Sequence, residues 1–276
     1  MPLGPFNGRT EPTQPARIHT GMIRGAIAAL ILFGFGPSVA LAGQLRIMAA
    51  VAVQTPLDRF AAAFTKATGH NVDVTYGLTG PILAEINAGK PVDAVVLPEA
   101  GRKALESANL SASQTLVSSS LAGVGVSSSA PLPDVSSLEK FTELLRVAPS
   151  VAYTDPKSGG AFGQSFDRTL VQLGLADEVR RKALLVRGSQ EIVAAVARGK
   201  AAIAISFKSA IVTTPGLKFA GKLPAPFDSE EPFTAIVLKS AGSPDIARAF
   251  VASLIAPDAR AMWDELGYIP ADAKVH

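Results

Sequence analysis

The sequence predicts an α/β protein built on a parallel sheet, and three observations lead there. Through the first third of the mature chain, apolar runs of strand length alternate with segments whose apolar residues recur at helical spacing, which reads β-α-β-α-β-α. Small or hydroxyl residues recur where strands hand over to helices, at Ala52–Thr55, Gly77–Gly80, Ser158–Gly163 and Gly188–Gln190. The 276 residues include no cysteine, so the fold relies on its apolar core rather than on disulfides.

The first 42 residues are set apart. Residues 1–21 are polar and proline-containing, with no period. Met22 opens MIRGAIAALILFGFGPSVALAG, with Arg24 as a positive start, Ala26–Phe35 as a short apolar core and Ala40-Leu41-Ala42 as a small-x-small site. The apolar run is too short for a membrane-spanning helix, and the pattern predicts a secretory signal peptide cleaved after Ala42, hence a periplasmic protein. Met22 is a second candidate for the start of translation. No cysteine follows the cleavage site, which argues against a lipid anchor. The leader holds Arg9, Arg17, Arg24 and Glu11, leaving 23 basic against 22 acidic residues beyond it. That near-neutral balance gives no sign of nucleic-acid binding.

Each element then has a local reason. Leu45–Ala50 is a continuous apolar run, as in a strand buried on both faces. Val51–Gln54 reads as a turn, Thr55 as a helix cap and Pro56 as the first helical residue. Leu57, Phe60, Ala61 and Phe64 form the inner face of that helix, and Gly69 stops it. Val72–Tyr76 is a second strand. In GLTG, Thr79 is a candidate cap before Pro81, and Gly89 ends a helix carrying Ile82, Leu83 and Ile86. Val92–Leu97 is a third strand and Ala100–Asn109 a helix. Leu116–Ser127 is a long strand suited to crossing into another lobe. Ser136–Val147 is a helix capped by Ser136 or Ser137. Val151–Tyr153 is a buried strand ended by Asp155-Pro156. Ser158, Gly159, Gly160 and Gly163 then open a helix whose apolar face is Phe162, Phe166, Leu170 and Leu173. A helix at Ala176–Lys182, a strand at Ala183–Val186 and a helix opened by Gly188-Ser189-Gln190 follow. Ala201–Ile205 is strand, with Ser206-Phe207-Lys208 at its end. Residues 213–232 are proline-containing and without period, and read as loop. Phe233–Leu238 is a strand able to cross back, and Ala247–Leu254 and Asp258–Leu266 are the last helices.

The chemistry is that of a binding site more than of a catalyst. Beyond the leader the histidines are His70 and His276 alone, and no Ser/His/Asp or Cys/His set is available for nucleophilic work. There is no HExxH, P-loop or GxSxG, and no metal-type Cys/His spacing, so neither cofactor nor metal is expected. His70 is expected at the surface. Asp93 with Glu99 is the one carboxylate pair near a strand end, and a structural role suits it better. Asp155 reads as a turn former, Lys208 as a solvated strand-end lysine, and Tyr153 and Phe207 as core. What remains is the set of turns. Strand-to-helix turns leave amides free at the positive ends of helix dipoles, and in open α/β sheets ligands sit at the carboxyl ends of strands. If the turns meet, they enclose a small anion.

YGLTG at Tyr76–Gly80, GKPVDAVVLPEA at Gly89–Ala100, YTDPKSGGAFG at Tyr153–Gly163, VARGKAAIAISFKSA at Val196–Ala210 and ELGYIP at Glu265–Pro270 together resemble the extracytoplasmic solute-binding proteins of ABC transporters, and within them the molybdate-binding family. The resemblance spans Leu45 to Pro270. It implies a type II periplasmic binding fold, with two parallel or mixed-sheet lobes joined by crossing strands: residues 43–122 with 236–276 as lobe 1, and 123–235 as lobe 2. It also implies a non-enzymatic, monomeric protein that closes over a small anion, an oxyanion such as molybdate or tungstate, and delivers it to a membrane permease. Carried over position by position, the ligand contacts are Ala52, Val53, Thr79, Gly80, Gly160, Ala161, Ser189, Gln190 and Ser206. Two positions depart from the family. Ala52 and Val53 stand where a serine is usual, and Phe207 where a tyrosine is usual. Losing such donors costs a buried dianion about 1.5–3 kcal/mol per charged hydrogen bond. A small organic acid is therefore the rival ligand, and a sensing adaptor for a membrane receptor the rival role. A transferase or hydrolase lacks a nucleophile–base pair, and a cytoplasmic effector domain is disfavoured by the leader.

Overall fold

The computed structural model describes residues 43–158 and 161–271. The signal-peptide prediction and Gly160 lie outside the described residues. In chain order the elements are β1 (Gln44–Ala50), a 3-10 turn (Val51–Val53), α1 (Gln54–Thr68), β2 (Asn71–Gly77), α2 (Thr79–Asn87), β3 (Ala94–Pro98), α3 (Glu99–Ser107) and β4 (Ser111–Ser127). Next come α4 (Leu138–Val147), β5 (Val151–Thr154), a 3-10 turn (Pro156–Ser158), α5 (Ala161–Gln172), α6 (Ala176–Arg181), β6 (Ala183–Val186), α7 (Ser189–Ala197) and β7 (Ile203–Phe207). The chain closes with α8 (Lys208–Val212), β8 (Leu217–Lys222), β9 (Glu230–Leu238), α9 (Pro244–Ser253), α10 (Ala259–Glu265) and β10 (Ile269–Pro270).

The strands form one mixed sheet in the order β2-β1-β3-β9-β4-β7-β5-β6, with β8 and β10 also paired to β4. β1 is parallel to β2 and β3, and β5 is parallel to β6 and β7. β9 and β4 are antiparallel to their neighbours and join the two parallel sets. Right-handed βαβ crossovers require helices on the sheet faces, and the packing follows from that. Leu57, Phe60, Ala61 and Phe64 of α1 and Phe250 of α9 close one face of the first set, together with Trp263 and Tyr268. Ile82, Ile86 and Leu105 close the other. In the second set Phe141, Leu145, Phe166 and Leu170 cover one face, and Ile192 and Val196 the opposite one.

Glycines stop the helices where expected. Gly69, Gly89 and Gly199 take positive φ just past α1, α2 and α7. Ser137 caps α4, accepting from the Lys140 N–H at 3.2 Å.

Five local expectations are corrected. α1 begins at Gln54, before Thr55, because the 3-10 turn Val51–Val53 already winds the chain, so Thr55 is no cap. α2 begins at Thr79 after Leu78, and Thr79 turns its methyl toward Gly101 instead of capping. Residues 213–232 are not a plain loop: they contain β8 and the start of β9, both held by pairing to β4 rather than by their own pattern. Leu173 lies beyond the end of α5 and is exposed. His70 is half-buried, stacks on Phe64 and accepts the Gly43 N–H on Nδ1 at 3.1 Å.

Candidate ligand site at facing strand ends

The register of β4 places the site. Pro98, the last residue of β3, lies opposite Phe233 of β9, and Phe233 lies opposite Ser118 of β4. Four residues further along β4, Ala122 pairs with Phe207, the last residue of β7. β3 runs with β4 and β7 runs against it. The carboxyl ends of the two parallel sets therefore point at each other across Ser118–Ala122, a span of about 13 Å at ~3.3 Å per residue. Among the described residues the strand-to-helix turns of both sets open toward this gap.

The predicted residues fall on the two edges as follows. Ala50 and Gly77 are in register, so Ala52 and Val53 lie beside Thr79 and Gly80 on the first edge. The Ala52 side chain is exposed, while Val53 is fully buried, backbone included, among the core of α1 and β1. Gly80 faces open space. On the second edge Thr154 of β5 is in register with Val186 of β6, which brings the starts of α5 and α7 together. Ala161 is the first residue of α5, and Ser189 and Gln190 are the first two of α7. Ser206 precedes the last residue of β7. Alternation puts it on the same sheet face as Ala204, the face covered by α7. It is fully buried, and its hydroxyl has no hydrogen-bond partner.

α7 follows Gly188, and its Glu191 carboxylate folds back to accept the Arg187 N–H at 3.3 Å. α2 follows Leu78 and has no side chain on its first amides. Such ends attract anions by about 0.3–1 kcal/mol each when exposed, and up to ~2 when partly buried. α3 differs, since the Glu231 carboxylate of β9 accepts the Glu99 N–H at 3.3 Å and occupies that helix end itself. Burial, and behind it the charge of Glu99, raises the Glu231 carboxyl above its usual range.

Basic side chains complete the second edge. Lys157 follows β5, Arg187 follows β6 and Lys208 follows β7, one at each of three adjacent strand ends. Among the described residues none of the three has an ion-pair partner. Single-residue patterns gave no reason to group them; only the sheet order does. Phe207 is half-buried against Phe162, with ring centroids 5.2 Å apart, and Leu78 is 68% exposed on the opposite edge. The two edges thus carry helix-end amides, hydroxyl and cationic residues and some apolar surface. Asp93, by contrast, is fully buried away from the strand ends and serves structure. Asp155 forms its turn, accepting the Lys157 N–H. Among the described residues no group of side chains suits a metal ion.

Known proteins resemble this chain over most of its length. An aconitate isomerase of a Pseudomonas species is 25% identical over 237 residues, covering 83% of this chain and 89% of that protein. The periplasmic molybdate-binding protein of Azotobacter vinelandii superposes with a TM-score of 0.65 at 22% identity, covering 82% of this chain and 98% of that one. PEB3 with bound L-phospholactate superposes at 0.62 with 15% identity, covering 82% and 99%; Peb3 comes from Campylobacter jejuni. At these identities the structural likenesses establish the type II periplasmic binding fold. The model of the family described as bacterial extracellular solute-binding protein matches residues 45–269, and the chain belongs to that family.

Proposed function

We propose that the protein captures a small carboxylate-bearing organic anion between two lobes, residues 43–122 with 236–276 and residues 123–235, and delivers it to the membrane permease of an ABC transporter. The observation that carries this reading is the facing pair of strand-end edges, one with the bare start of α2 and the other with the start of α7 beside Lys157, Arg187 and Lys208. Amides at helix ends and three cations suit several carboxylates on one molecule, and Leu78, Phe162 and Phe207 suit its carbon skeleton. The likeness to an aconitate isomerase and to a phospholactate-bound protein supports the same class. Closure is a hinge motion about β4 and β9.

Molybdate or tungstate is the second reading, favoured by amide donors on both edges and by the likeness to a molybdate-binding protein. Against it stand Ala52, Val53 and Phe207, which supply no hydroxyl. Isothermal titration with citrate, cis-aconitate, trans-aconitate, molybdate, tungstate and sulfate separates the readings. Sub-micromolar binding of a carboxylate, weakened about 10–100-fold by Lys208→Ala as a lost charged hydrogen bond requires, is the expected result. Binding of molybdate and tungstate alone, indifferent to Lys208→Ala, overturns it in favour of the oxyanion. Incubation with either aconitate isomer is expected to leave it unchanged; conversion would make the protein an enzyme.

A further inference from the structure

Tyr268 joins three distant parts of the chain. Its ring is 4% exposed and meets Trp263 and Phe233 edge-on, with centroids 5.2 and 6.1 Å away. Its hydroxyl donates to the carbonyl of Ala52, in the turn after β1. Ser209, in the first turn of α8, lies beside the same oxygen. Ser120 of β4 donates to the Ser209 hydroxyl at 2.9 Å. The side chains form a row, Ser120 to Ser209 to Tyr268 to the Ala52 carbonyl. Burial lifts the phenol to about 12, so it stays protonated and able to donate. The neighbouring Gly267, at φ +80, lets the chain come so close to α8 that a Cβ there would lie 2.6 Å from Val212 and 3.1 Å from Ser209 Cα.

A trans peptide carries its C=O and N–H on opposite sides. A hydroxyl fixed to the Ala52 oxygen therefore fixes where the Val53 N–H points. We propose that Tyr268 is a positioning residue, which sets the Ala52–Val53 peptide in the first strand-end turn and ties that setting, through Ser209 and Ser120, to α8 and the shared strand β4. The inference rests on the reading of that turn as a ligand contact. The ring is anchored by Phe233 and Trp263, on the side of the first edge, while the hydroxyl meets Ser209, on the side of the second. A shift of α8 against β10 parts Ser209 from Tyr268 and frees the Ala52 peptide to turn.

Amide hydrogen exchange followed by NMR in the ligand-free protein tests this. Tyr268→Phe keeps the ring and removes the hydroxyl. It is expected to speed exchange at Val53 at least tenfold while leaving the core amides of Met48 and Ile236 unchanged. Ser209→Ala is expected to act on Val53 in the same way, and the double variant no more than either alone. An unchanged Val53, or an equal rise at Met48 and Ile236, overturns the proposal, as does an effect of Tyr268→Phe that Ser209→Ala does not share. Should Tyr268→Phe fail to fold, Ser209→Ala carries the test. The measurement needs no ligand, so its failure and the failure of the ligand reading are separate results.

Discussion

Arg46 holds Asp93 twice, donating its backbone N–H to Oδ2 at 2.8 Å and its Nε to the same oxygen at 3.3 Å. The other carboxylate oxygen accepts the amides of Gly242 and Ser243 at 2.8 and 3.1 Å. One fully buried side chain thereby joins β1, the entry to β3 and the chain before α9.

Burial alone would raise the Asp93 carboxyl, but the donors from Arg46, Ser243 and Gly242 outweigh it and hold it below its usual range. A depressed native pKa contributes stability that is present above the unfolded value near 3.9 and lost as pH falls through the native value. Asp93→Ala is expected to cost about 1–3 kcal/mol at pH 7 by leaving the amides of Arg46, Gly242 and Ser243 without their acceptor. Asp93→Asn is expected to flatten the acid limb of the stability curve, measured by urea denaturation between pH 3 and pH 7.

Glu231 carries the opposite sign. Its raised carboxyl means that the native state disfavours the charge. The cost is absent below about pH 4.3 and grows as pH rises to the native value. Glu231→Gln keeps an oxygen for the Glu99 N–H. It is expected to melt higher than the parent at pH 7 and equally at pH 4, read from the fluorescence of the single tryptophan.

Gly163 and Gly80 separate packing from permissiveness. A Cβ at Gly163 would lie 2.6 Å from the Thr154 carbonyl and 2.9 Å from its Cβ, where α5 crosses the end of β5. Gly163→Ala is expected to cost about 1–3 kcal/mol by overpacking. A Cβ at Gly80 meets nothing within 4 Å. Gly80→Ala lies inside α2 and is expected to be neutral or to stabilise by about 0.4–1 kcal/mol. Thermal unfolding of the two variants side by side checks both.

Ser206 holds a buried hydroxyl without a partner. An unsatisfied buried donor costs about 1–3 kcal/mol. Ser206→Ala is therefore expected to raise the melting temperature of the ligand-free protein. If the hydroxyl belongs to the ligand, the same variant binds more weakly. Calorimetry and thermal unfolding on one preparation show whether the two effects come together.

Much of this was legible in the sequence, for identifiable reasons. β1, β3 and β7 are apolar on both faces, so their runs stand out. Gly69, Gly89 and Gly199 mark helix ends because each takes the positive φ that stops a helix. β8 was not legible: LKFAGK is half-buried throughout and has no period, being held by β4. The five-residue α8 is too short for periodicity to register. Thr79 looked like a cap because threonine often is one; its contact with Gly101 lies 22 positions away and decides otherwise. The cation row Lys157, Arg187 and Lys208 emerges only from strand order, and Tyr268 meets Ala52 across 216 positions.

The place of β9 also governs when the protein can fold. It sits between β3 and β4, so the inner edge of β3 stays open until residues 230–238 have been made and delivered. The N-terminal strands cannot finish their own sheet as they emerge; they wait for a segment near the other end of the chain. Closing such non-local pairs is slow. Were the chain exported unfolded from its N-terminus, that delay would keep the leading segments threadable until almost the whole chain had passed.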